Sequence, residues 1–100
     1  MTVLSTTTMM AALVQEPRWS TQMEIAHQLL RRRDVFNVSP LCEFLVQNNR
    51  NREVQRAVAG CVAVHAPEEG ARWLAGRVFN LAAKTEEKEL ALRALADMRL

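Results

Sequence analysis

Between Asn51 and Lys84 the chain reads NREVQRAVAGCVAVHAPEEGARWLAGRVFNLAAK, two apolar-striped segments interrupted by one proline. Val54, Ala57, Val58, Cys61, Val62 and His65 recur at the spacing that a 3.6-residue period lays on one face of a helix. Such a face has to be buried. Ala71, Leu74, Ala75, Val78, Leu81 and Ala82 repeat the pattern downstream. Ala66-Pro67-Glu68-Glu69 between the two is a start signal, with Pro at the first helical position and acids in the first turn, where the helix dipole favours negative charge. The stretch therefore predicts a helical hairpin within 51–84, with its second arm over 67–83, around which the rest of the chain must pack.

Upstream, MTVLSTTT is polar and Thr-rich. Thr8 or a neighbour is expected to cap a short helix through Met9, Met10, Ala12, Leu13 and Val14 that stops before Pro17, with residues 1–7 frayed or disordered. Trp19 precedes a capping box, Thr21-Gln22-Met23-Glu24, in which hydroxyl and carboxylate satisfy each other's backbone donors. That predicts a helix over 21–33, with Met23, Ile25, Ala26, Leu29 and Leu30 inward and Arg31, Arg32 and Arg33 at its C-terminal end. Asp34 to Val38 reads as a connector. Ser39-Pro40 then opens a short helix with Leu41, Phe44 and Leu45 inward, ended by the polar cluster Asn48-Asn49-Arg50-Asn51, whose last member can cap the hairpin. Thr85 can cap a final helix beginning Glu86-Glu87, with Leu90, Ala91, Ala94, Leu95 and Met98 on one face and Leu92 off it. Alternating β-branched runs and Gly-rich turns are absent. The reading is all-α, about five short helices in a single domain spanning 1–100.

Caps at Thr21, Asn51 and Thr85 recur at intervals of roughly 30–35 residues, close to the period of helical-hairpin arrays, whose units bury their faces only by stacking. Two arrangements fit: stacked antiparallel hairpins of tetratricopeptide or HEAT type, and a small irregular bundle.

Composition narrows the function class. At 49% hydrophobic and 24% charged the chain is an ordinary globular one rather than a disordered one. A domain of this length buries only about two-thirds of the surface its unfolded chain exposes, so an apolar face kept for a partner would be a noticeable share of it. The net charge of +2 is too small to imply nucleic acid, although 11 of the 13 basic residues are Arg, which suits contacts to carboxylate or phosphate. The start of the chain lacks a basic region, and its run MMAALV is too short for a signal peptide or membrane span, so a cytoplasmic location is expected.

Two Cys and two His raise a zinc reading, since Cys61 and His65 share a face and Cys42 and His27 could approach from neighbouring helices. Structural zinc sites usually carry a tight Cys-x₂₋₄-Cys pair, however, and Cys42 and Cys61 are far apart; reduced core cysteines and a helix-end histidine are expected, with no metal and no cofactor. No Ser or Cys sits in a nucleophile motif, and Gly60, Gly70 and Gly76 form no phosphate loop, so no enzymatic activity is expected. Arg31, Arg32, Arg33, Arg50, Arg52 and Arg56 would form a basic patch at one end of the molecule if the helices alternate in direction. Trp73 lies off the buried stripe of its helix. It either packs against the last or first helix or, with Phe79 as a second anchor and Arg72 and Arg77 as rim charges, forms the candidate partner-binding site, an exposed aromatic of the kind enriched at interfaces.

The segment IAHQLLRRRDV, followed by LCEFLVQNNRNREVQRAV, a Trp-containing helix and a short charged last helix ending near Met98, resembles the small tetratricopeptide-like chaperones that hold needle subunits of bacterial type III secretion systems. The likeness spans about residues 9–99 and is one of layout, with Ile25-Ala26, Leu29, Asn48 and Ala57 as scattered matching positions. The Trp-x₂-Leu-Gly-x₂-Tyr signature of the tetratricopeptide consensus is absent, which leaves a HEAT-like or unrelated bundle open. The resemblance implies a cytoplasmic chaperone or adaptor whose concave face wraps an amphipathic helix of an aggregation-prone partner. Two other classes are compatible with the residues: a small stoichiometric inhibitor of the kind mobile elements encode, and an Arg-rich nucleic-acid-binding helical protein.

Overall fold

In the computed structural model, residues 5–33, 36–47 and 51–98 are described, and every regular element among them is a helix. There are six rather than five: α1 (Thr6–Gln15), α2 (Trp19–Leu30), α3 (Ser39–Gln47), α4 (Arg52–His65), α5 (Pro67–Val78) and α6 (Thr85–Met98).

Local chemistry decides where each begins. Ser5, not Thr8, caps α1: its Oγ accepts from the Thr8 N–H at 3.1 Å, so Thr6 and Thr7, expected to be frayed, are helical and Thr6 is buried. α2 starts three residues earlier than the capping box would place it, with Arg18 rather than Thr21 at the cap position and Thr21 inside the helix. Gln22, Ala26 and Leu29 face inward, with Met23 and Ile25 partly buried against the core, while Leu30, expected in the core, is 40% exposed. The buried Gln22 amide is satisfied by donating to the Glu16 carbonyl at 2.8 Å. In α3 the cap lies just before Ser39: the Asn37 side chain accepts from the Ser39 N–H, and the Val38 carbonyl takes the Cys42 N–H. Asn51 caps α4 as expected, accepting from the Glu53 and Val54 N–H groups. Pro67 occupies the first turn of α5, with Glu68 and Glu69 following it.

The helices lie in two rows. α2, α4 and α6 form one, with α4 in the middle; α1, α3 and α5 form the other; α1 packs on α2, α3 on α4 and α5 on α6 across the gap. Between helices adjacent in the chain the larger contacts are α5/α6 and α1/α2, whereas α4 and α5, read from the sequence as the hairpin, share a smaller one. The reason is the joint. A single residue, Ala66, with φ −154° and ψ 68°, separates α4 from α5, whereas α5 and α6 are joined by a longer segment that lets the chain double back. The hairpin phase is thus shifted by one helix from the one the caps suggested. α2 and α4 run in the same direction, since Ala26 pairs with Cys61 and Leu29 with His65. α6 meets α4 through its last turn, where Asp97 takes Arg52.

α4 is the centre of this arrangement. Val54, Val58, Cys61 and Val62 are buried as its stripe predicts, and Gln55 and Ala59 are buried as well, because helices approach α4 from more than one side. One core cluster includes residues of all six helices, among them Leu13, Leu29, Phe44, Leu45, Val58, Leu74, Ala91 and Met98. The Cα radius of gyration, 12.9 Å, is that of a single compact domain of about this length. The second half of the expected α5 stripe is overturned. The helix ends at Val78, the Asn80 side chain accepts from the Ala82 N–H to form a local turn, and Leu81, expected to be buried, is 95% exposed.

Candidate cleft on the edge of α5

The buried face of α5 is centred on Gly70 and Leu74 rather than on Ala71, Ala75 and Leu81. With the helix so turned, Glu69, Trp73 and Arg77 stand in register at four-residue spacing along one edge. Facing the first two is the connector that leads into α3. Phe36, Asn37, Val38, Ser39, Glu69 and Trp73 line a cleft of about 550 Å³ between them.

Each wall is held. Val38 is buried in the core and the Asn37 side chain is spent on the Ser39 N–H. Phe36 packs its ring on His65, centroids 4.8 Å apart and tilted by 55°, and His65 is itself fixed by a 2.8 Å hydrogen bond between its Nε2 and the Leu29 carbonyl. Trp73 is half-buried and packs against the core cluster while still lining the cleft. The Arg77 guanidinium lies over its ring, 4.7 Å from the centroid, within cation–π range.

Arg77 is therefore not the free rim charge expected of it. Its Nη2 lies 3.6 Å from Glu43 and its Nη1 3.5 Å from Glu87, so it ties α3, α5 and α6 together beside the indole. Arg72 is exposed and lines a neighbouring concavity of about 420 Å³ with Ala66, Pro67, Glu68 and Glu69; Glu69 is common to both hollows. Phe79 lies beyond the end of α5, 81% exposed, and lines neither. Of the four residues the sequence singled out, Trp73 alone is in the main cleft. The other five lining residues were missed. Phe36 carried one signal, an aromatic in the short connector before α3; Glu69 was masked by its ordinary role as a first-turn acid.

The expected basic patch is divided. Arg31 and Arg33 are exposed at the end of α2, and Arg32 between them donates to the Met9 sulfur at 2.8 Å. That end sits beside the C-terminus of α4, as the Leu29–His65 bond shows. Arg52 is at the opposite end of α4, about 20 Å away at 1.5 Å per residue, and is committed to both Asp97 oxygens at 2.9 and 3.0 Å. Arg50 lies outside the described residues. The parallel course of α2 and α4, where alternation was assumed, is what separates the charges.

Cys61 donates to the Ala26 carbonyl at 3.0 Å, Cys42 is fully buried and His27 is exposed; among the described residues, no group of three or more His, Cys, Asp or Glu is placed to hold a metal ion. Burial pushes the Cys42 thiol up to about 12, with the Glu43 and Glu69 carboxylates adding to the shift, and burial pushes Cys61 up to about 11. Both are thus protonated at neutral pH, unlike the thiolates that ligate metals or attack electrophiles. Among the described residues, no helix is long and apolar enough to cross a membrane. Compared with protein families, with characterised proteins and with solved structures, the chain matches none.

Proposed function

We propose that this chain is a non-enzymatic protein-binding module, a small cytoplasmic chaperone or adaptor that holds an amphipathic helix of a partner against the edge of α5. The observation that supports it most is the Trp73 cleft: an aromatic in a domain with few of them, held by the core on one side and lining an open hollow on the other. An amphipathic helix would lay its i, i+4 anchors along such an edge. The resemblance to type III secretion needle chaperones supplies the class of partner, an aggregation-prone subunit; a small inhibitor protein would use the same surface chemistry.

The test separates binding from folding. Partners are recovered from the native host by affinity purification, and the complex is then titrated with Trp73→Ala and Trp73→Phe proteins. Trp73→Ala should weaken the complex by about 2 kcal/mol or more, as a hot-spot residue does, while Trp73→Phe, which keeps a ring against the core, should bind partly and fold normally. A Trp73→Ala protein that folds and binds its partner unchanged would remove the cleft from the interface. The nucleic-acid alternative rests on Arg31 and Arg33, which are exposed; it predicts binding that falls steeply with salt and is lost when both are changed to Ala.

A further inference from the structure

The lining of the cleft is not that of a purely apolar anchor site. Two aromatic side chains, Phe36 and Trp73, stand with one carboxylate, Glu69, and no Lys or Arg lines that hollow. Glu69 is exposed, and among the described residues no cation pairs with it. An apolar side chain seated there would strip water from the carboxylate and return no partner to it. A long cationic side chain has no such conflict. Its aliphatic stem covers aromatic surface while its head group meets the carboxylate. The protein already uses this arrangement one turn along α5, where the Arg77 guanidinium lies over Trp73 and is held by Glu43 and Glu87.

We infer that the hollow formed by Phe36, Ser39, Glu69 and Trp73 receives a Lys or Arg side chain of the partner, so that the helix held by this module carries a basic anchor. The inference rests on the reading of this cleft as the partner-binding surface. Glu68 beside Glu69 adds to the negative potential, and Arg72, exposed in the adjoining hollow, opposes it. Arg72 therefore tempers the site rather than contributing to it, the reverse of the rim role that its position in the sequence suggests.

The test uses side-chain analogues on the full chain, followed by amide and indole NMR shifts: n-butylammonium as the lysine probe and 1-butanol as its neutral counterpart of equal reach. Saturable shifts at Phe36, Ser39 and the Trp73 indole with n-butylammonium, and much smaller ones with 1-butanol, are expected. Glu69→Gln should weaken the n-butylammonium response about fivefold, and Arg72→Gln should strengthen it. Equal shifts from both probes would overturn the cationic anchor while leaving an apolar cleft in place. Shifts that appear equally around other exposed acids such as Glu53 and Glu89, or none at the cleft, would also overturn it. The cleft as partner-binding surface is judged separately, by the effect of Trp73→Ala on the partner complex.

Discussion

The closest approach of α5 to α4 is at Gly70, and it makes a prediction whose sign differs from that at the other two glycines. A Cβ built on Gly70 collides with Cγ1 of Val62 and comes within 3.4 Å of Met98 Cε, whereas at Gly60 and Gly76 it meets nothing within 4 Å. All three glycines are helical, so Ala at any of them gains up to about 1 kcal/mol of backbone propensity. At Gly70 that gain is opposed by overpacking, which costs about 1–3 kcal/mol in a filled core. Met98 has a flexible end and can give way; Val62 cannot, because it is fully buried and its β-branched side chain has one strongly preferred rotamer in a helix. The net expectation is a loss of about 1–2 kcal/mol for Gly70→Ala and a gain of about 0.5–1 kcal/mol for Gly60→Ala and Gly76→Ala. In urea denaturation with a slope of roughly 1–2 kcal/mol/M, the Gly70→Ala midpoint should fall by about 1 M and the others rise by about 0.5 M, with slopes unchanged. Val62→Ala should relieve part of the Gly70→Ala penalty, giving a double-mutant coupling of about 1 kcal/mol. A Gly70→Ala protein as stable as the Gly60→Ala one would show that α4 and α5 do not meet there, and the corner at Ala66 would have to be redrawn.

Arg52→Ala should destabilise by about 1–2 kcal/mol, because it leaves the mostly buried Asp97 carboxylate without its bidentate partner; a double-mutant cycle with Asp97→Asn that shows no coupling would refute the pair. Both thiols are held protonated above their ordinary value of 9.0 in the folded protein, so their contribution to stability is fully present below about pH 9 and is lost as pH rises toward about 11 for Cys61 and about 12 for Cys42. Thiol labelling at pH 8 should therefore be slow and limited by unfolding, and an immediate reaction of either cysteine in native protein would contradict that burial. Val58→Asp places an unpaired carboxylate at a position with no exposure, and circular dichroism should show loss of the cooperative transition; a folded, cooperative variant would mean α4 is not central.

Periodicity alone determined that the chain is helical and which faces of α3, α4 and α6 turn inward: Phe44, Val58 and Ala94 are buried where their stripes put them, because a 3.6-residue repeat fixes a face whatever lies opposite. Local start signals were equally legible, as Asn51, which caps its own backbone, and Pro67, which sits in the first turn of α5, show. Where two local signals competed, the sequence could not rank them. The capping box at Thr21 lost to a start at Trp19, and a burial stripe running through Leu81 lost to the Asn80 turn, which changed where α2 begins and where α5 stops. Direction and neighbourhood were decided only by tertiary packing. Whether Arg31 and Arg52 share an end depends on α2 and α4 running in parallel, and whether Trp73 meets Phe36 depends on a connector that folds back onto α5. Such pairings join residues far apart in the chain, and their geometry comes from how whole helices seat against α4, a quantity that no local spacing encodes.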